Sequence, residues 1–168
     1  MLSYEVRSLG EWDKLAKWVV HNKLFSPNVR WLVQIPRLYN IYKASNSIES
    51  FQSIVRSKWD PFIKWHRIHN FTLDIFEPLF EVTKDPSSHP ELHVFLERVV
   101  GFDSVDDESK REKRIFKKYP TPSEWDGKHN PPYSYYLYYM YSNVASLNNW
   151  RKARGFSKLF QLVQNAGI

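Results

Sequence analysis

Cysteine is absent from the 168 residues, glycine occurs only five times, and no apolar run approaches the roughly 18 residues of a membrane span. Without cysteine there are no disulfides and no thiolate metal ligands. So few glycines leave no glycine-rich phosphate loop, and no G-x-S-x-G elbow occurs. The first residues, MLSYEVRSLGEW, lack the apolar core of a secretory leader, so a soluble, cytoplasmic protein without membrane contact is expected. The chain is also shorter than the about 250 residues of a complete (β/α)8 barrel. It is long enough for one domain with a sizeable core. Lys plus Arg exceed Asp plus Glu by 24 to 18, a net charge of +6. That excess permits nucleic-acid binding. The basic residues are nevertheless scattered, apart from KREKRIFKK (Lys110–Lys118), which argues against a nucleic-acid partner.

What is present has the periodicity of an α/β chain. Ser8 and Glu11 have the spacing of a capping box, and Trp12, Leu15, Ala16, Val19 and Val20 recur along one helical face. Val29 to Ile35 reads as a short buried strand stopped by Pro36, followed by a helix from Arg37 to Ala44 that runs on toward Ile54. LDIFEPLFEVT reads as helical, with a kink if Pro78 lies inside it. Pro90 suits the first position of another helix, before a strand over Val99–Val105. The final helix runs from Tyr133 to Gly155, with basic residues in its last turn and glycine at its end. Six tyrosines between Tyr133 and Tyr141 suit either a tyrosine-rich core or a base-stacking platform. Strands alternating with helices imply parallel pairing through crossovers.

RSLGEWDKLAKW, NVRWLVQIPRLYNIYK, IFEPLFEVTKDPSSHPELHVFLERVVGFDSVDDES and NPPYSYYLYYMYSNVASLNNWRKARGF together resemble the middle of the eukaryotic AMP deaminase family. The resemblance covers most of the chain, as one partial barrel domain over residues 1–168, with an unmatched insert at 55–73 and a divergent tail at 157–168. It implies an incomplete (β/α)8 TIM barrel: an open parallel arc of about three strands with crossover helices, the first strand ending at Tyr4–Ser8 and the next two formed by Val29–Ile35 and Val99–Val105. It also implies a zinc enzyme that hydrolyses AMP to IMP and ammonia, with a homo-oligomeric parent. In such a barrel the chemistry lies at the carboxyl ends of the strands, so Asp103, Asp106, Asp107 and Glu108 would face the substrate. The alternative for these acids is ion pairing with the basic stretch after Lys110, or capping of the next helix. Arg37, just past the second strand, carries a fork that matches a phosphate, or else forms a surface ion pair.

The departures bear on activity. The family draws its zinc-binding histidines and catalytic glutamate from an H-x-H segment, from a segment reading roughly L-x-x-R-P-H-C-G-E-A-G after RGF, and from a later aspartate strand. This chain reads RGFSKLFQLVQNAGI instead. No catalytic and no metal-binding residue is therefore assigned, and zinc is expected of the parent family and not of this chain. His66 with His69, and His89 with His93, are the only close histidine pairs, and neither has a clear third ligand. Val55–Leu73 reads as a translated intron, its ends compatible with splice-site codons, or as a surface insertion with an amphipathic face of Trp59, Phe62, Trp65 and Ile68.

Two function classes follow. One is a portion of AMP deaminase that is itself inactive. The other is a non-catalytic module that binds nucleic acid or an intact deaminase subunit. An open arc is further expected to expose apolar faces bearing Trp18, Trp31 and the tyrosines, and so to aggregate or remain molten.

Overall fold

The computed structural model describes residues 2–5, 9–55, 75–105, 112 and 118–163. Most of the 55–73 insert, His66 and His69, the Ser8 end of the capping box, and the acids Asp106, Asp107 and Glu108 lie outside the described residues. The element order is β1 (Leu2–Glu5), α1 (Leu9–His21), β2 (Trp31–Pro36), α2 (Tyr39–Ala44), α3 (Gln52–Val55), α4 (Glu77–Lys84), α5 (Pro90–Leu96), β3 (Val99–Val105), α6 (Tyr133–Ala153) and β4 (Gln161–Val163). Strands β1, β2, β3 and β4 lie side by side in that order, every pair parallel. Parallel neighbours require crossover connections, and helices supply them.

Alternation along the strands separates two faces. Trp31, Val33 and Ile35 of β2 and Phe102 of β3 belong to the hydrophobic core. The intervening row places Gln34 beside Asp103, and Asp103 beside Val163, on the opposite face. Phe102 is fully buried, its ring 6.2 Å from Trp12 of α1, 5.8 Å from Phe76 and 5.2 Å from Phe160. Helix α1 buries Trp12, Leu15, Ala16 and Val19, as the three-four spacing predicts, with Val20 at the margin. The Trp12 indole donates to the Ile75 carbonyl at 2.8 Å, tying α1 to the entrance of α4. His89 joins three helices, with Nδ1 at 2.9 Å from Asp13 of α1 and Nε2 at 3.5 Å from Glu81 of α4.

Several helix boundaries differ from the sequence expectation. The helix from Arg37 does not run toward Ile54. It ends at Ala44, where Asn46 takes the left-handed backbone (φ 54°) and the chain turns before α3. Pro78 kinks nothing, because it sits in the first turn of α4, where its missing N–H costs no helical bond. Pro90 begins α5 as expected, with His89 at the cap position. Helix α6 ends in a Schellman motif: Phe156 N–H donates to Arg151 O and Gly155 N–H to Lys152 O, both at 3.1 Å, with Gly155 at φ +80°.

Two further differences concern the core. Trp31 does not contribute to an exposed face, since it is 3% exposed and packs edge-on against Phe95. Trp18 does stand outside, at 51%. The sheet also has one strand more than the three implied by resemblance, and the extra strand, β4, arises within the 157–168 tail. Asn148 of α6 secures it, donating to Phe160 O and accepting from Phe160 N–H, both at 2.8 Å.

Gly101 permits that fourth strand. A methyl group on Gly101 would lie 2.1 Å from the Gln161 carbonyl oxygen, a backbone atom that cannot swing aside. Overpacking of this kind costs about 1–3 kcal/mol, a large fraction of what a three-residue strand can contribute. The substitution Gly101→Ala is therefore expected to detach β4 while β1, β2 and β3 stay paired. Amide hydrogen exchange checks this: faster exchange at 161–163 with unchanged exchange at 31–35 is expected, and unaltered protection at 161–163 would refute it.

Candidate functional site

The carboxyl ends of β2 and β3 lie together, with Gln34, Ile35 and Pro36 beside Asp103, Ser104 and Val105. Helix α6 closes over this end of the sheet through tyrosine hydroxyls. Tyr136 donates to Pro36 O at 3.2 Å and Tyr133 to Ser104 O at 3.1 Å. Two strand-end carbonyls thereby gain side-chain donors, the Pro36 oxygen in addition to the Leu38 N–H at 3.1 Å. The tyrosines divide by helical position. Tyr136 is wholly buried, Tyr135 and Tyr139 pack against the core around Phe51, and Tyr138 and Tyr141 remain more than 60% exposed. Half of the run, Tyr135, Tyr136 and Tyr139, thus serves the core.

Arg37 leaves β2 at the same end. Its Nη1 lies 2.6 Å from Glu112 Oε1 and donates to Pro131 O at 2.7 Å, with the side chain only 8% exposed. Glu112 also accepts from the Tyr133 N–H at 2.5 Å, at the start of α6. Asn130 binds the chain beside Arg37 on both sides, accepting from Asn40 N–H at 2.8 Å and donating to Arg37 O at 3.3 Å. Of the two sequence readings of Arg37, the ion pair is therefore present, with the arginine buried and its partner Glu112 exposed. Its guanidinium holds the segment before α6 against the end of β2.

Asp103 sits on the face opposite the helices and is 2% exposed. Burial pushes its carboxyl above the ordinary aspartate value, opposed by a hydrogen bond from the Ser104 backbone. The next residue, Ser104, points to the helix side of β3, and its buried hydroxyl has no hydrogen-bond partner among the described residues. The structure thus brings Asp103 and Arg37 to one end of the sheet on adjacent strands. Asp106, Asp107 and Glu108 are not among the described residues. Glu112, Asn130 and Tyr133 complete this end; the sequence marks Tyr133 only as the start of the tyrosine-rich helix, and Glu112 and Asn130 not at all. The signal available was NPPY (Asn130–Tyr133) before the long helix. Glu112 is hidden by its place inside KREKRIFKK.

Among the described residues, no three His, Asp or Glu side chains are grouped so as to hold a metal ion. His89 is engaged with Asp13 and Glu81, and His93 stacks on Phe156 at 6.1 Å, so this pair shares no vacant point between them. No helix among the described residues is long and apolar enough to cross a membrane.

The model of the AMP deaminase family matches residues 1–167. An AMP deaminase of Saccharomyces cerevisiae is 61% identical over 153 residues, which is 91% of this chain and 17% of the relative. An AMP deaminase of Schizosaccharomyces pombe is 59% identical over 151 residues, 90% of this chain and 16% of the relative. Human AMP deaminase 3 is 45% identical over 157 residues, 93% of this chain and 18% of the relative. The chain spans less than a fifth of the length of these relatives.

The position of Asp103 has a consequence for pH dependence. Because its folded-state pKa is raised, the folded chain holds this proton to higher pH than the unfolded chain does. Its contribution to stability is then greatest at low pH and declines as pH rises from about 4, the unfolded aspartate value, through the folded value. The expected result of Asp103→Asn is a flatter pH–stability curve over that window. A carboxyl carbon NMR titration of the unsubstituted chain should place Asp103 above ordinary aspartates, and a midpoint at or below about 4 would overturn the assignment.

Proposed function

Because the chain belongs to the AMP deaminase family, we propose that it forms one arc of a zinc-dependent (β/α)8 barrel that hydrolyses the 6-amino group of AMP, giving IMP and ammonia. The observation that carries the proposal is the family match over nearly the whole chain. Four parallel strands in sequential order, joined by helices, suit such an arc. Within it, Asp103 lies on the face away from the helices, the face that becomes the interior when a barrel closes. Asp103, and after it Asp106, Asp107 and Glu108, are proposed to line the substrate side of the mouth. Arg37 acts at one remove, by holding Glu112 and the Asn130–Tyr133 segment in place.

Zinc supplies a water activated for attack in the parent reaction. The described residues of this chain do not fit the ion, since no three suitable side chains are grouped and cysteine is absent. No step of the hydrolysis is therefore assigned to them. Their proposed contribution is positional: tyrosine hydroxyls and the Arg37–Glu112 pair fix the strand ends from which substrate-facing groups project. A second reading is association with an intact deaminase subunit, favoured by the one-sided pairing of β1 and β4 in the sheet.

The purified chain supplied with AMP and zinc is expected to release no ammonia above a protein-free control. Release that a chelator abolishes and added zinc restores would overturn the positional role. In the same preparation, co-sedimentation with an intact family enzyme tests the second reading, and failure to associate removes it.

A further inference from the structure

The opposite end of the sheet carries a different chemistry. Arg30 immediately precedes β2 and Arg98 immediately precedes β3, and because Trp31 pairs with Val99, Arg30 and Arg98 fall side by side. Lys158 lies three residues before β4, and its ammonium reaches the backbone carbonyl of Glu97, the residue before Arg98, whose charge acts on it. Three cations, two directly before β2 and β3 and one on the approach to β4, thus gather at this end of the sheet. The Trp31 N–H donates to Arg98 O at 2.9 Å, which fixes the first pair. The Lys158 ammonium donates to Glu97 O, which fixes the second.

A fourth cation stands behind them. Arg151 of α6 is 1% exposed, its guanidinium stacked 4.5 Å from the Phe156 ring centre and 4.6 Å from that of Phe160. Its Nε donates to Lys158 O at 3.1 Å, while its buried Nη2 makes no hydrogen bond among the described residues. The nearest carboxylate, Glu97, is 3.9 Å away and half exposed. Arg98 makes no side-chain hydrogen bond or ion pair among the described residues, and Arg30 turns one nitrogen onto the Pro27 and Val29 carbonyls. Burial first, and then the charges of Arg30, Arg98 and Arg151 against that of Glu97, hold the Lys158 ammonium below its ordinary value. Four cations against one carboxylate, in a partly buried setting, repel one another, and a compact anion relieves that repulsion.

We infer that the amino-terminal ends of β2, β3 and β4 form a binding site for a phosphate-class oxyanion, contacted by Arg98 and Lys158 and backed by Arg30 and Arg151. Guanidinium forks match the paired oxygens of a phosphate, and a lysine supplies a compact point charge. The site lies at the end of the sheet away from Asp103 and Arg37 and does not depend on the catalytic reading.

Titration of the chain with inorganic tripolyphosphate, followed by phosphorus NMR at ionic strength held constant with chloride, tests the site. Saturable binding is expected, weakened at least tenfold, about 1.4 kcal/mol, by Arg98→Gln and by Lys158→Gln. Lys17→Gln removes the same charge from an exposed position on α1 and should change nothing. Inorganic phosphate in a parallel titration separates a single-phosphate site, which it would fill with comparable affinity, from one that requires a chain of phosphates. Equal weakening by all three substitutions, or no saturation with either anion, overturns the proposal. A second readout does not require a cooperative fold: acetylation of Lys158, followed by mass spectrometry, should be suppressed by tripolyphosphate and not by chloride. Equal labelling in both would also refute the site.

Discussion

The ring of Phe102 is where the molecule is joined. It lies in the third strand, yet it meets Trp12 from the first helix, Phe76 from the entrance to the fourth and Phe160 from the approach to the last strand. Removing a buried aromatic of this kind typically costs about 3–5 kcal/mol, because neighbours cannot collapse into the space. The edge-to-face geometry of all three contacts adds orientation to burial. With Phe102 fixed facing the helices, alternation compels Asp103 to the other face, so the carboxyl's unusual environment follows from the packing of its neighbour.

The two ends of the sheet are built differently. At the carboxyl ends, phenol hydroxyls from α6 donate to strand carbonyls without adding charge, and the ion pair of Arg37 with Glu112 is neutral overall. At the amino ends, the same helix contributes Arg151, and like charges accumulate. Helix α6 spans both because its 21 residues run to roughly 30 Å at 1.5 Å per residue.

Local patterns made much of this legible. The buried stripe of α1, the strand Val99–Val105, proline at the start of α5 and glycine past α6 are each written within a few residues, where steric and hydrogen-bonding rules act directly. The partners of Arg37 were not, since Glu112 is 75 residues away and only folding brings the two together. Strand β4 escaped notice because three residues carry too little alternation to register, and because its position depends on the missing side chain of Gly101. Trp31 was misjudged since a tryptophan on an open sheet looks exposed until Phe95 covers it. The cation cluster was invisible for the same reason as the ion pair: its members are scattered in sequence and gathered by folding.

The amide clamp of Asn148 on Phe160 also orders events in time. It closes across only 12 residues, and the contacts of Arg151 with Phe156 and Phe160 across fewer still, whereas Trp31 must find Val99 and Gly101 must find Gln161 across far longer stretches. Short loops close in well under a microsecond, and distant strand pairing is slow because its closure entropy precedes its reward. The end of α6 and the chain leading into β4 therefore assemble as a prefabricated corner. On a ribosome this corner emerges after β1, β2 and β3, and docks onto a third strand whose edge is open until then.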